Sequence, residues 1–404
     1  MARCYSPAVA FRCRDEAERH GPPTQALQNL AHLLQCWDEL NTDFPCDKDH
    51  HADRQTVHNT LDYIWRYVRS AVLVVVREGR VRLFAPFVNP DFTNDWHHQL
   101  RATEHVVGPA HLPKEKWWCN AGILCTQCGF QPWSDSMNEC YRHMIEAVVR
   151  HYGVRTWDGI LNRRDHPIVR HARPVRLHPY AHVWADTALP NLPEPFATCE
   201  LLPVLSPYTH PADFEDCAIP CNLDWERMLG LPVFFAATNV ALCQEPTTTV
   251  PWEQRRAVAF FRGSGTSTQR LRVAERYRSH PLFDIKVWHS RNGRYAVHGG
   301  VVTPPSRANR KDFVPSSEWG RYRVLISMDG HAAPNRIGAL IAGGGHILVV
   351  RDPESPGPHL WWYDEYPQWF HIVDEADIEE AVRRLLATPP PPPRPFPQLP
   401  PRFM

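Results

Sequence analysis

The amino-acid sequence predicts an α/β protein built from two domains. Beyond Arg255, short β-branched and aromatic runs alternate with segments of helical periodicity, the pattern of successive βαβ units on a parallel sheet. At 404 residues the chain exceeds what one hydrophobic core usually serves, and 43% hydrophobic residues with balanced charge suffice to bury two. All twelve cysteines precede residue 244, so the halves differ in composition as well as in pattern.

The first 55 residues are polar and irregular, with helical patterning only near "TQALQNLAHLLQCW". Residues 57–70 read as a helix leading into "AVLVVVREGRVRLFAPF", two alternating runs about Glu78-Gly79 that predict a hairpin. In "SMNECYRHMIEAVVRHY", residues 136–152, apolar positions recur three and four apart, which predicts an amphipathic helix. Residues 170–250 are proline-rich and loop-like, with a domain boundary expected near "QEPTTTVPWEQ".

The second half opens with "AVAFFR" as a buried strand, Gly263 to Thr266 as a loop, Ser267 to Ser279 as a helix with hydroxyl N-cap candidates, and "FDIKVW" as the next strand. A second unit follows: strand "RVLISM", loop "DGHAAPN", helix "NRIGALIA" with Pro334 near its first turn, a stop at Gly343 to Gly345, and strand "HILVV". "WFHIV" and then "DEADIEEAVRRLLA" close the domain with a helix acidic in its first turn.

Composition excludes several functions. Zero net charge argues against nucleic acid as the main partner. Arginine outnumbers lysine 39 to 5, but beside 40 prolines this reads as compositional bias rather than a phosphate surface. The most apolar stretches, 71–76 and 337–350, fall short of the roughly 20 residues a bilayer needs, and "MARCYSPAVAFRCRDEAERHG" holds too short an apolar run for a signal-peptide core. A soluble, unsecreted, cytoplasmic protein is therefore expected. Cys125-x-x-Cys128 offers half a zinc site with no second pair, and Cys128–Cys140 is a candidate disulfide. Without a secretion signal, reduced thiols are the simpler reading.

Two loops are predicted to end at one sheet edge, each carrying an arginine: Arg262 at a strand end and Arg336 in the first turn of a helix. Helix amino termini with two guanidinium forks beside them suit a diphosphate. Gly263 and Gly265 let backbone approach a ligand, and Ser264, Thr266 and Ser267 add hydroxyl donors. The alternative for Arg262 is an ion pair with a carboxylate across the sheet. The loop lacks a P-loop lysine and the third glycine of GxGxxG, which disfavours nucleotide hydrolysis and hydride transfer.

"WEQRRAVAFFRGSGTSTQRLR" followed by "EWGRYRVLISMDGHAAPNRIGALIAGGGHILVV" resembles glycosyltransferase family 90, which includes protein O-glucosyltransferases and capsule xylosyltransferase-like proteins. Upstream, "WWCNAGILC", "WDGILNRRDHPIVR", "HPYAHVW" and "LPVLSPYTHPADFEDCAIPCNLDW" resemble further blocks of that family in order, so the likeness covers roughly residues 60 to 385. The resemblance implies a GT-B type fold of two Rossmann-like domains facing a central cleft. It divides the chain into an irregular extension (1–55), an acceptor-side domain (56–248), a nucleotide-sugar-binding domain (249–387) and a proline-rich tail (388–404).

The implied reaction is inverting, metal-independent transfer from UDP-glucose or UDP-xylose to a hydroxyl of a protein or glycan, with no cofactor beyond the donor. Carried over, Asp165 is the general base, and Arg262, Gly263, Ser264, Thr266, Gly330, His331, Ala332, Ala333 and Arg336 bind the nucleotide-sugar. Arg163, Arg164 and Asp216 are candidates for acceptor contact or support, and the two arginines either place substrate or neutralise Asp165.

Departures from the family pattern are Arg255 or Arg256 for a lysine, "GALIAGGG" for a helix with glutamate and serine, and His371 alone for a His-Tyr pair. Asp47-x-Asp49 with His50 and His51 resembles a metal-binding DxD, yet no nucleotide-binding strand precedes it, so no metal is expected. Trp361, Trp362 and Tyr363 read as packing rather than sugar stacking. The tail "TPPPPPPRPFPQLPPRFM" is an extended polyproline segment, a spacer or a docking strand for an aromatic-grooved partner. A scaffold that has lost catalysis and binds through this tail is the alternative to an enzyme.

Overall fold

The computed structural model describes residues 30–44, 52–68, 70–88, 132–162, 167–169, 196–209, 211, 214–221, 224–225, 233–235, 240–243, 250–265, 267–288, 314–330, 334, 336–352 and 360–394. Two five-stranded sheets dominate it. The first comprises β1 (Ser70–Arg77), β2 (Arg80–Val88), β3 (Trp157–Asn162), β4 (Val204–Ser206) and β5 (Cys217–Ala218), in the order β2-β1-β3-β4-β5. β1 runs antiparallel to β2 and β3, and β3, β4 and β5 run parallel. A separate hairpin joins β6 (Val233–Phe235) and β7 (Val240–Cys243).

β1 is a continuous apolar run because both its faces are covered. Ala71, Leu73 and Val75 pack toward α1 (Leu30–Asp43) and α2 (Arg54–Tyr63), whereas Val72, Val74 and Val76 pack toward α3 (Pro132–Tyr152). The hairpin turn has positive φ at both central residues, 52° at Glu78 and 73° at Gly79, the geometry whose twist matches the flanking strands. At the end of β1, the buried Arg77 guanidinium meets Asp158 of β3 at 2.9 Å and also donates to Asn41 of α1. Asp158 accepts further bonds from the Trp37 indole and the Ala52 amide, so one ion pair joins two strands, α1 and the approach to α2.

The second sheet is wholly parallel. It comprises β8 (Arg256–Ser264), β9 (Phe283–Trp288), β10 (Tyr322–Met328), β11 (His346–Arg351) and β12 (Phe370–Asp374), in the order β9-β8-β10-β11-β12. The order reverses between β8 and β10, which is the point where open α/β sheets leave a crevice outside their carboxyl ends. On one face α4 (Thr268–Arg276) and α7 (Ile378–Ala387) cover Phe261, Ile326 and Val350. On the other, α5 (Ile337–Gly343) and α6 (Trp361–Glu365) cover Phe260, Leu325 and Ile347. That cluster continues into Val72, Leu161, Leu205 and α3, so the two sheets share an apolar layer. The architecture is mixed α/β and compatible with Rossmann-like units.

Several expected boundaries move. β8 runs on through Gly263 and Ser264, where a loop was expected, because β9 pairs with it as far as Gly263↔Val287 and Ser264↔Trp288. α4 ends at Arg276, short of Ser279, and α2 passes into a π-helical turn at Ile64–Val68. The 196–243 stretch contributes short strands rather than loop alone. Cys36, Cys199, Cys217 and Cys221 are free thiols among the described residues. Cys125 and Cys128, the Asp47 to His51 motif and the tail beyond Arg394 lie outside those residues. Among the described residues no helix is long and apolar enough to cross a membrane.

Because both partners are buried, truncating one strands a charge in the interior. Asp158→Ala should lower unfolding free energy by about 3–5 kcal/mol in urea titration, far more than loss of the exposed Arg54–Asp38 pair.

Candidate functional site

The loops after β8 and β10 meet at the carboxyl edge of the second sheet. Ser267 caps α4 by accepting from the Arg270 amide at 3.3 Å, and its hydroxyl donates to the Asp329 carbonyl at 2.9 Å. One side chain thus serves as helix cap and as the tie between the two loops.

Arg336 precedes α5 and reaches back to β8. The β8/β10 register runs through Ala259↔Val324 and Phe260↔Leu325. Two residues further on, the Arg262 carbonyl accepts from the Arg336 guanidinium. The guanidinium carbon lies 4.8 Å from the centre of the Phe261 ring and 5.9 Å from that of Trp319, so aromatic faces cradle the cation. Glycine at 263 is explained by this crossing: a Cβ there would stand 2.8 Å from Arg336 Nη2 and 2.8 Å from Phe261 Cζ. Gly263 makes room for a guanidinium.

Burial shifts three ionisable groups at this edge. Burial and the neighbouring Arg270 push Arg336 down to about 9, which still leaves it cationic at neutral pH. Among the described residues no carboxylate pairs with it, and it keeps partial exposure. Arg270, also pushed down to about 10 by burial, donates to the Met328 carbonyl at 2.7 Å. Burial pushes the Asp329 carboxyl up to about 7, with Arg270 opposing and Asp352 adding to the rise. Arg270 and Arg336 thus both stay cationic near neutral pH at the carboxyl ends of β8 and β10.

Arg262 is placed differently. Its guanidinium is 5% exposed, bonds to Asp284 Oδ1 of β9 at 2.6 Å, and donates to the Asp284 and Phe261 carbonyls. Of the two readings open from the sequence, the geometry shows the carboxylate across the sheet. Asp284 also takes Arg256 at 2.9 Å. Arg255 donates to the Gly343 carbonyl at the end of α5, where the helix dipole favours a cation. Gly330 is half-buried in the loop, and Ser264 pairs through its backbone with β9. Thr266, His331, Ala332 and Ala333 lie outside the described residues.

A second constellation sits at the carboxyl ends of β3 and β4. Asn162 donates to the Ser206 hydroxyl at 2.7 Å, which donates to Asp216 at 2.7 Å. The Asp216 carboxylate accepts from the Ile168 and Val169 amides at 2.9 and 2.8 Å. Burial pushes this carboxyl up to about 7 against the hydrogen bonds, from Ser206, Val169, Ile168 and its own amide, that favour its charge. Arg163, Arg164 and Asp165 are outside the described residues, but residues on both sides of them, Asn162 before and Ile168 after, are held by this one buried network.

Between the two edges lies a cleft. Pro207, Tyr208, Ile219, Cys221 and Asp224 line it from the first sheet, and Pro334, Ile337, Leu360, Trp361 and Trp362 from the second. Pro334 and Ile337 are sequence neighbours of Arg336, and Tyr208 stands two residues beyond Ser206, but none of Arg336, Asn162, Ser206 and Asp216 lines the cleft. Trp361 and Trp362 are buried, as the packing reading expected, yet they also form a wall of this cleft. The tail residues 389–394 lie elsewhere, held by Arg394 to the Gly345 carbonyl and by the Pro389 carbonyl to His346 at the start of β11. Among the described residues no group of three or more His, Cys, Asp or Glu side chains is placed to hold a metal ion.

No protein-family model matches the chain. It is 23% identical to uncharacterized protein 035R of Invertebrate iridescent virus 3, over 89% of this chain and 35% of the relative. It is 26% identical to uncharacterized protein 027R of Frog virus 3, over 82% of this chain and 38% of the relative. The chain thus spans little more than a third of the length of these relatives. A shorter similarity, 25% identity over 130 residues, links 32% of the chain to 29% of the O-glucosyltransferase rumi of Drosophila melanogaster.

Gly263→Ala should displace Arg336 or Phe261 at a cost of about 1–3 kcal/mol. Urea titration of the variant against the wild type checks that cost.

Proposed function

We propose that the chain is an inverting glycosyltransferase that moves glucose or xylose from a UDP-sugar to a hydroxyl of a protein or glycan without a metal. The observation that carries this reading is Arg336: a partly exposed guanidinium at the switch point of a parallel sheet, with no carboxylate partner among the described residues. The local similarity to an O-glucosyltransferase supports it.

In this reading residues 249–387 take the donor and 56–248 the acceptor. Arg336, with the Gly330 to Ala333 segment, holds the diphosphate. Arg262, engaged by Asp284, fixes the strand end and the carbonyl against which Arg336 rests. Ser264 closes β8, and Ser267, beyond Thr266 in the sequence, ties this stretch to the loop after β10.

Asp165, on the segment between the two anchored ends at Asn162 and Ile168, removes the proton from the acceptor hydroxyl. As that oxygen bonds to the anomeric carbon, the bond from carbon to the phosphate oxygen breaks and the electron pair leaves with UDP. Because attack and departure occur on opposite faces, the anomeric configuration inverts. Fixed guanidinium charge stabilises the negative charge developing on the diphosphate, which is the electrostatic half of the catalysis. Arg163 and Arg164 adjoin the base and serve the acceptor, and Asp216 supports the segment through the amides it accepts.

Purified protein should turn over a UDP-sugar in EDTA. Asp165→Asn should cut that rate by at least about 100-fold while leaving UDP affinity within a few-fold. Arg336→Ala should weaken UDP itself by about ten- to one-hundred-fold in calorimetry, the worth of a charge-assisted bond. Full UDP affinity in Arg336→Ala would count against the assignment.

A further inference from the structure

We propose that the polyproline segment 389–393 is a preformed ligand for a partner domain that binds proline-rich chains in an aromatic-lined groove. Five consecutive prolines, each with a fixed φ and no backbone N–H, favour the polyproline II helix, which has three residues per turn. Exposure follows that period. Thr388, Pro391 and Arg394 are partly buried, whereas Pro389, Pro390, Pro392 and Pro393 are exposed. One ridge of the helix therefore lies against the protein, and the other two face solvent.

The segment is anchored near both ends. Nε2 of the buried His346, at the start of β11, lies 3.0 Å from the Pro389 carbonyl, and Arg394 donates to the Gly345 carbonyl at 2.7 Å. His346 is itself packed edge-on against Trp252 and His371, with ring centres 5.5 and 5.4 Å away. A segment held in this way has little conformational freedom left to lose when a partner binds. Proline-binding grooves seat rings at the spacing P-x-x-P between aromatic side chains. The exposed ridges present that spacing twice, as Pro389 with Pro392 and as Pro390 with Pro393. The anchor points stand at the amino ends of β11 and β12, across the sheet from the carboxyl edge that carries Arg336. A partner held here leaves that edge open, whatever chemistry takes place there.

The test is surface plasmon resonance of the full chain over immobilised SH3, WW and EVH1 domains. At least one domain should bind the wild type saturably. Of the double variants Pro389→Ala/Pro392→Ala and Pro390→Ala/Pro393→Ala, at least one should weaken that binding by about ten-fold or more, whereas Pro391→Ala, on the docked ridge, should stay within about three-fold. These substitutions are at the surface, and thermal unfolding checks that each variant folds.

No binding by any of the domains would overturn the proposal and leave the tail as a strap between α7 and β11. A loss in Pro391→Ala as large as in the double variants would overturn it too, because the contact would then not use the exposed ridges. The spacing P-x-x-P recurs at Pro397 and Pro400. Binding that is lost only in Pro397→Ala/Pro400→Ala would put the contact further along the chain and overturn the assignment to 389–393.

Discussion

A single guanidinium, wedged where two parallel strands part, constrains the second half of this protein. Arg336 rests on the Arg262 carbonyl and between the rings of Phe261 and Trp319, and its path requires a residue without a side chain at 263. Its position in turn requires α5 to start where it does, because Ile337 is fully buried in the layer the two sheets share. The strand order supplies the opening and the arginine supplies the charge. Neither would make an anion site alone: helix ends and backbone amides are common, but a cation kept partly exposed at a switch point is held there at a desolvation cost.

Buried charge is used in two contrasting ways. Arg77 and Asp158 neutralise one another, and their remaining hydrogen-bonding groups are met by Asn41, Trp37 and Ala52, so the pair is a structural bolt for the first sheet. Arg262 and Asp284 do the same at the edge of the second. At the β8 and β10 loops, by contrast, burial lowers Arg270 and Arg336 and raises the Asp329 carboxyl.

Much of this was legible in the sequence, and what was not follows a physical rule. Periodicity located β1 and β2, their Glu78-Gly79 turn, and every strand of the second sheet, because those patterns are set by residues two to four apart. The flanking sequence also pointed to Arg336. It offered a carboxylate across the sheet as one of two readings for Arg262 but could not name Asp284, since that pairing depends on the register of β9 against β8. It gave no sign that Asp224 and Trp362 meet, because their contact depends on how the two sheets pack. The glycine at 263 drew notice as a place where backbone could approach a ligand, and the packing adds that a Cβ there would meet the distant Arg336 and Phe261. Of the Asn162, Ser206 and Asp216 network, only Asp216 stood out in the sequence, through the family resemblance, and burial is what makes the three a unit.

The most direct measurement is the crystal structure of the protein with UDP. The account predicts a diphosphate oxygen about 3 Å from the Arg336 guanidinium, at the carboxyl ends of β8 and β10. A nucleotide seated elsewhere, with Arg336 still turned wholly to the Arg262 carbonyl, would contradict it.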